Sequence, residues 1–231
     1  MEIQIAAAKV NQYGLPESGD TLEVVERPNG GLSVVLADGQ RGGKAISQMV
    51  VRKVIGLLAE GVRDGAAARA ASDALFTEKQ GKASCTLNIA SLDLMTNTIV
   101  LTRNNPTPLA ICRGGVVDYI SSASEPLGLG RDTRPLINET LLEADLMIML
   151  FTDGLTHAGT RRGQPMEVAM LLQSMLDEQD PSPQAIADEL LAHAVSLDEG
   201  RPADDISVVV IKVAPRSGDL VRRMNVRLPI E

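Results

Sequence analysis

The sequence predicts an α+β protein in which two mainly antiparallel sheets carry helices on their outer faces. Three observations predict it. Apolar runs of strand type and of helix type follow one another as strands, two helices, strands, two helices and a strand, which is not the alternation of a doubly wound sheet. The runs between residues 85 and 120 are joined by turns too short for a helical crossover, so they form an antiparallel meander. With 231 residues, 44% of them hydrophobic, the chain holds one large domain with a substantial core.

The elements follow in order. Strands are expected over Ile3 to Val10, Leu22 to Arg27 and Leu32 to Ala37, the last two joined through Pro-Asn-Gly-Gly at 28 to 31, a hairpin turn. The period then changes: Ile46, Met49, Val50, Val54, Leu57 and Leu58 fall on one helical face, and an Ala-rich segment after Arg63-Asp64-Gly65 reads as a second helix to Leu75. Strands resume at Cys85 to Leu94, Asn97 to Arg103, Leu109 to Arg113, Val116 to Ile120, Pro135 to Leu141 and Leu146 to Phe151. Helices follow around Glu167 to Asp177 and Pro183 to Leu197, the second opened by a Ser-Pro capping signal, before a last strand at Ile206 to Val213. No repeat, low-complexity tract or linker divides the chain before Ala214.

Composition excludes several classes. A net charge of −8 and a pI of about 4.9 leave no broad basic surface for nucleic-acid phosphates. The apolar runs have strand length, far short of the roughly 20 residues of a membrane helix, and the N-terminus MEIQIAAAKV reads as neither secretory signal nor anchor. Cys85 and Cys112 stand far apart with no metal or redox spacing, as core thiols of a cytoplasmic protein do.

Acidic residues flank the apolar strands at four places: Asp20 in SGDTLEVV, Asp38 in VVLADG, Asp153 in MLFTDG, and Asp204-Asp205 before ISVVVIKV. Any one Asp-Gly is explained by a turn, because Asp bonds its own downstream backbone and Gly accepts positive φ. Taken together, and if the sheets bring these strand ends into one volume, the carboxylates repel one another unless protonated or bound to cations. Oxygen ligands without Cys or His suit Mg²⁺, Mn²⁺ or Ca²⁺ and not zinc. Two such ions would polarise a phosphoryl oxygen and lower the pKa of a shared water. Other chemistries fail on their motifs. A Walker A loop ending at Gly43-Lys44 would need Gly at Asp38 and Ser or Thr at Ala45, no G-x-G-x-x-G or G-x-S-x-G is present, and Leu155 stands where a haloacid-dehalogenase phosphatase needs a second Asp.

SGD at 18 to 20, LADG with Gly42-Gly43, PLGLG at 126 to 130, LFTDGLTHAG at 150 to 159 and DDISVVVIKV at 204 to 213 stand in the order of the signature blocks of the bacterial PP2C-like (PPM) serine/threonine phosphatases. The chain resembles the branch typified by SpoIIE, RsbU and RsbX over residues 1 to 213, with 214 to 231 as an extension. The resemblance implies an αββα sandwich with two Mn²⁺ or Mg²⁺ ions at one end. It makes Asp38 the bridging ligand, joined by Asp20 and the Gly39 carbonyl at one ion and by Asp153 and Asp204 at the other, with Asp205 as an orienting neighbour. The implied reaction is hydrolysis of a phosphoserine or phosphothreonine monoester by attack of metal-bridged hydroxide, without a phosphoenzyme.

Departures from the family pattern touch the rim. Gln40 replaces a His that eukaryotic members carry, Asn104-Asn105 replace Gly-His or Gly-Asp, and Arg41 adds a charge that contacts phosphate or stays an exposed loop residue. His157, shortly after Asp153, is a further neighbour of the site. The segment 156 to 167 reads as a mobile loop able to gate entry. The expected substrate is a phosphorylated regulatory protein of the anti-sigma-antagonist kind, acted on by a free-standing phosphatase; the alternative is a non-catalytic module of this fold that binds a phosphoprotein. The tail alternates Val221, Met224, Val226 and Leu228 with arginines, which suits an edge strand or a docking arm.

Overall fold

A computed structural model describes residues 1–40, 43–216 and 218–227. Among the described residues, ten strands and five α-helices follow in the order β1 (Glu2–Val10), β2 (Asp20–Glu26), β3 (Leu32–Asp38), α1 (Gly43–Ala59), α2 (Asp64–Lys79), β4 (Thr86–Asp93), β5 (Thr98–Asn104), β6 (Leu109–Arg113), β7 (Val116–Ile120), β8 (Leu136–Leu141), β9 (Met147–Phe151), α3 (Asp153–His157), α4 (Val168–Glu178), α5 (Pro183–Leu197) and β10 (Ile206–Ala214). They form two five-stranded sheets, β1-β10-β9-β6-β7 and β2-β3-β4-β5-β8, in which the paired strands are antiparallel.

The periods of the sequence explain the layers. β3 is apolar on both faces: Val34 and Leu36 join the core between the sheets, while Val35 and Ala37 pack under α1 and α2. β10 divides likewise, with Val209, Ile211 and Val213 between the sheets and Ile206, Val208 and Val210 under α4 and α5. Each such fully buried Val, Leu or Ile contributes roughly 1.5–3 kcal/mol, so the apolar runs select strands buried on both faces. The result is helix pair, sheet, sheet, helix pair, the αββα sandwich.

Punctuation falls where the sequence puts it. Arg27 N–H donates to Gly31 O (2.9 Å) and closes the β2–β3 hairpin. Gly31 is required because a Cβ there would collide with the Leu92 carbonyl of β4. Ser182 caps α5 by accepting from Ala185 N at 3.2 Å, with Pro183 behind it. Cys85 and Cys112 are buried free thiols.

Two expectations are corrected. The segment 156–167 is tied down rather than loose: Met166 N donates to Ala158 O (3.0 Å), Gly159 N to the Asp198 carboxylate (2.9 Å), and Ala158 and Met166 are buried in the core under α4 and α5. Its two apolar residues have a core to enter, and that outweighs the glycines flanking them. The tail forms no strand over 218–227, and its Leu220, Val221, Met224 and Val226 stay exposed with no apolar face to bury them. Arg222 donates to Gly30 O at 3.0 Å. Leu228 lies outside the described residues.

Candidate active site

Asp20 opens β2, Asp38 closes β3, Asp153 follows β9, and Asp204-Asp205 precede β10. In each sheet the two strands concerned are antiparallel neighbours, and so their four ends lie at one end of the sandwich. Asp20 and Asp38 stand directly opposite one another in the β2–β3 register. Both occupy the face whose next residues, Leu22 and Leu36, pack between the sheets. The carboxylates therefore rim the mouth of the inter-sheet core.

Asp20 joins the two sheets. Its side chain is fully buried, and Oδ2 accepts from Thr152 Oγ1 at 3.0 Å and Ser207 Oγ at 2.6 Å, both from the opposite sheet's strand ends. Oδ1 is buried without a hydrogen-bond partner. Burial pushes the Asp20 carboxyl up to about 6 even though the two hydroxyls favour its charged form. On the outer side, Lys9 Nζ and Lys44 Nζ both donate to the Asp20 main-chain carbonyl, at 2.7 and 3.0 Å.

Asp38 carries the largest strain of charge. Burial first, and then the charges of Asp20, Asp153, Asp204 and Asp205 in that order, together raise its pKa to about 8. Four carboxylates thus act on a fifth through low-dielectric surroundings, the situation that protonation or a cation relieves. Asp204 is exposed, shifted up by burial first, and its Oδ1 accepts from Asp205 N at 2.9 Å. Asp205 plays a different part, because its two oxygens accept from Gln12 N (2.9 Å) and Gly19 N (2.7 Å) and hold both ends of the β1–β2 loop. The orienting role expected of it takes this form.

The glycines after the two aspartates are steric requirements. A Cβ on Gly39 would collide with the Gly43 carbonyl, and one on Gly154 with the Asp205 carbonyl. Gly39 O accepts from Gly43 N at 2.9 Å, so the Asp38 turn closes on the first residue of α1.

The weaker candidates scatter. Gln40 is exposed beside Asp38, and Arg41 lies outside the described residues. His157 is 63% exposed one helical turn after Asp153, with Nδ1 at 3.8 Å from its Oδ2. Asn105 does not offer its amide oxygen to the cluster: Oδ1 accepts from Thr107 N at 2.9 Å, and Asn104 donates to Glu125 O at 3.1 Å. Both asparagines shape the β5–β6 corner, together with buried Arg103, whose guanidinium donates to the carbonyls of Asn105, Thr107 and Ser122.

Sequence reasoning missed Lys9, Lys44, Thr152 and Ser207. A signal existed for two of them: Thr152 and Ser207 are the polar residues that interrupt otherwise apolar strand ends next to Asp153 and Asp205.

Whether these residues suit divalent cations is decided by their chemistry. The donors are all oxygens, one carboxylate oxygen of Asp20 is buried without a partner, and burial and then acidic neighbours disfavour the charged form of Asp38 in the absence of a cation. Among the described residues, no group of three or more Asp, Glu, His or Cys side chains is already arranged to hold a metal ion. Asp20, Asp204 and Asp205 spend oxygens on protein donors instead. The residues fit hard cations in kind and in charge, and loading would draw the carboxylates together. Among the described residues, no helix is long and apolar enough to cross a membrane.

Comparison with known proteins adds an independent line. Residues 28–214 match the family model described as stage II sporulation protein E (SpoIIE). The chain is 26% identical over 200 residues to the stage II sporulation protein E of Priestia megaterium, covering 85% of this chain and 34% of that protein; it spans about a third of that relative's length. Among solved structures it is similar to the PP2C phosphatase domain with a regulatory-domain fragment of SpoIIE from Bacillus subtilis, with a TM-score of 0.79, 20% identity, and coverage of 92% of this chain and 64% of that one. It is also similar to the catalytic domain of the serine/threonine phosphatase PstP in complex with two manganese ions, with a TM-score of 0.70, 18% identity, and coverage of 92% and 99%.

Proposed function

Because the chain belongs to the SpoIIE family of PP2C-like phosphatase domains, we propose that it is a metal-dependent protein serine/threonine phosphatase acting in the cytoplasm on a phosphorylated regulatory protein of the anti-sigma-antagonist kind. The observation that carries the reading is the convergence of Asp20, Asp38, Asp153, Asp204 and Asp205 from the strand ends of both sheets on one end of the sandwich, where burial and the other carboxylates raise the pKa of Asp38. An uncompensated acidic pocket of this sort is stable chiefly as a cation site.

In this reading Asp38 would take part in holding both Mn²⁺ or Mg²⁺ ions, Asp20 and the Gly39 carbonyl belonging to one and Asp153 and Asp204 to the other. When bound, the two ions supply Lewis acidity toward phosphate oxygens and a lowered pKa for water. The chain's own residues do the rest. Thr152 and Ser207 fix the rotamer of Asp20, Asp205 fixes the loop that carries Gly19, and Asp38 gives up its proton as the site loads. Gln40 has no titratable proton, so either water protonates the departing serine oxygen or turnover is slow.

The test is hydrolysis of p-nitrophenyl phosphate and of a phosphoserine peptide with Mn²⁺, Mg²⁺ or EDTA, with Asp38→Asn beside the natural chain. Turnover that needs the cation and disappears in the variant supports the reading. A second reading, a module that binds a phosphoprotein without hydrolysing it, is favoured by Gln40, which has no proton to give a leaving oxygen. Cation binding without turnover of either ester would select it.

A further inference from the structure

A cleft of about 580 Å³ opens between the first turn of α1 and the turn joining α2 to β4, lined by residues including Ala45, Ile46, Lys79, Gln80, Lys82 and Ala83. Its α1 end lies toward the carboxylate site, because Gly43, two residues before Ala45, donates its N–H to the Gly39 carbonyl. Ala45 directly follows Lys44, whose ammonium bonds the Asp20 carbonyl. Ala83 leads within three residues to Thr86, which stands opposite Asp38 in the β3–β4 register. A phosphoryl group held at Asp38 would therefore have this cleft beside it.

The charge of the border is opposite to that of the site. Lys9, Lys44 and Lys82 make no ion pair among the described residues, and Lys79 pairs with its own neighbour Glu78 at 2.7 Å, both half exposed. In a chain of net charge −8, Lys79 and Lys82 line the cleft with Glu78, and Lys44 stands one residue before its Ala45, so the local balance is positive. Lys9 and Lys44 approach one another by sharing the Asp20 main-chain carbonyl, and the Asp20 and Asp205 carboxylates offset only part of the repulsion at Lys9. An anionic occupant relieves it. The small side chains Ala45 and Ala83 leave room for a peptide backbone between the lysines.

We propose that this cleft is the docking groove for the chain segment flanking the phosphorylated residue, and that it selects an acidic segment, Asp or Glu within a few residues of the phosphoserine. The proposal rests on the phosphatase reading only for where the phosphoryl group sits. Charge complementarity of this kind sets partner choice and association rate more than bulk affinity.

The test uses two peptides that carry a nonhydrolysable phosphonate analogue of phosphoserine, one flanked by Glu and one by Gln, with binding read by fluorescence anisotropy in Mn²⁺. Two lysine contacts at a partly exposed border give an acidic-over-neutral preference of about tenfold, diminishing with added salt. Lys44→Gln with Lys82→Gln should bring the ratio to within about twofold, and Lys82→Glu should lower it below that of the natural chain. Each variant's neutral peptide is its own reference, so a general loss of binding cancels. Equal binding of the two peptides by the natural chain, or a ratio unmoved by the substitutions, overturns the proposal. Turnover of p-nitrophenyl phosphate, which has no flanking residues, is measured in parallel; its absence counts against the phosphatase reading, while the anisotropy ratio still judges the groove.

Discussion

The proton on Asp38 gives the sharpest prediction. Its folded-state pKa of about 8 lies above the ordinary 3.8, and that of Asp20 is raised to about 6. For a carboxyl raised in this way the native state binds more protons than the unfolded chain. The associated stability is fully present below the unfolded pKa and is lost as pH rises through the folded one. Between pH 6 and 8 Asp38 is the principal group concerned, and one proton corresponds to about 1.4 kcal/mol per pH unit, falling to half that at pH 8, so the cation-free protein loses about 2–3 kcal/mol over that range. For a chain of this length that is a fall in Tm of about 5–11 °C. The assay is thermal unfolding in EDTA at pH 6, 7 and 8, repeated for Asp38→Asn, in which most of the slope should vanish. With Mn²⁺ the trend should oppose this, because displacing one proton makes cation affinity rise about tenfold per pH unit below 8. A Tm in EDTA that is flat or rises from pH 6 to 8 would refute the reasoning, for it would mean that the five carboxylates do not share a volume.

Other residues of the site give further outcomes. Asp205→Ala leaves the N–H groups of Gln12 and Gly19 without their acceptor, and should lower unfolding free energy in urea by about 2–3 kcal/mol while exposing the 11–19 loop to limited proteolysis. Gly154→Ala, which drives a Cβ into the Asp205 carbonyl, should destabilise by about 3 kcal/mol or more; a variant with native Tm would sink the steric argument. Ser207→Ala removes the 2.6 Å donor to Asp20, which should raise the Asp20 pKa further and shift the pH at which cations load upward in calorimetric titrations at pH 5.5 to 7.

Much of this arrangement was legible in the sequence, and the boundary of legibility is physical. Strand ends were readable because β3 and β10 are apolar on both faces, and a carboxylate at the end of such a run has few reasons to be there. Convergence was not readable from spacing, since Asp20 and Ser207 are 187 residues apart and meet only because the sheets stack. Lys9 could not be found at all: it is an exposed residue near the end of an edge strand, where lysine is the commonplace residue, and although it shares a face with the inward-packed Ile3 and Ile5 its purpose depends on a carbonyl of the other sheet's edge. The 156–167 segment misled because its glycines and arginines mark a loop by composition, while Ala158 and Met166 alone decide that it packs.

The position of Asp20 ties cation binding to the packing of the whole molecule. Its carboxylate belongs to the sheet under α1 and α2, whereas both of its hydroxyl partners belong to the sheet under α4 and α5. Lys9 makes a second stitch in the opposite sense, reaching from β1 of one sheet to the Asp20 carbonyl at the edge of the other. Asp205 makes a third, from the start of β10 to Gly19 just before β2. A slide of one sheet over the other would break all three together and pull Asp38 away from Asp153 and Asp204. Cations that bind the assembled cluster therefore stabilise the stacking of the sheets by mass action, and whatever loosens that stacking lowers cation affinity by the same free energy.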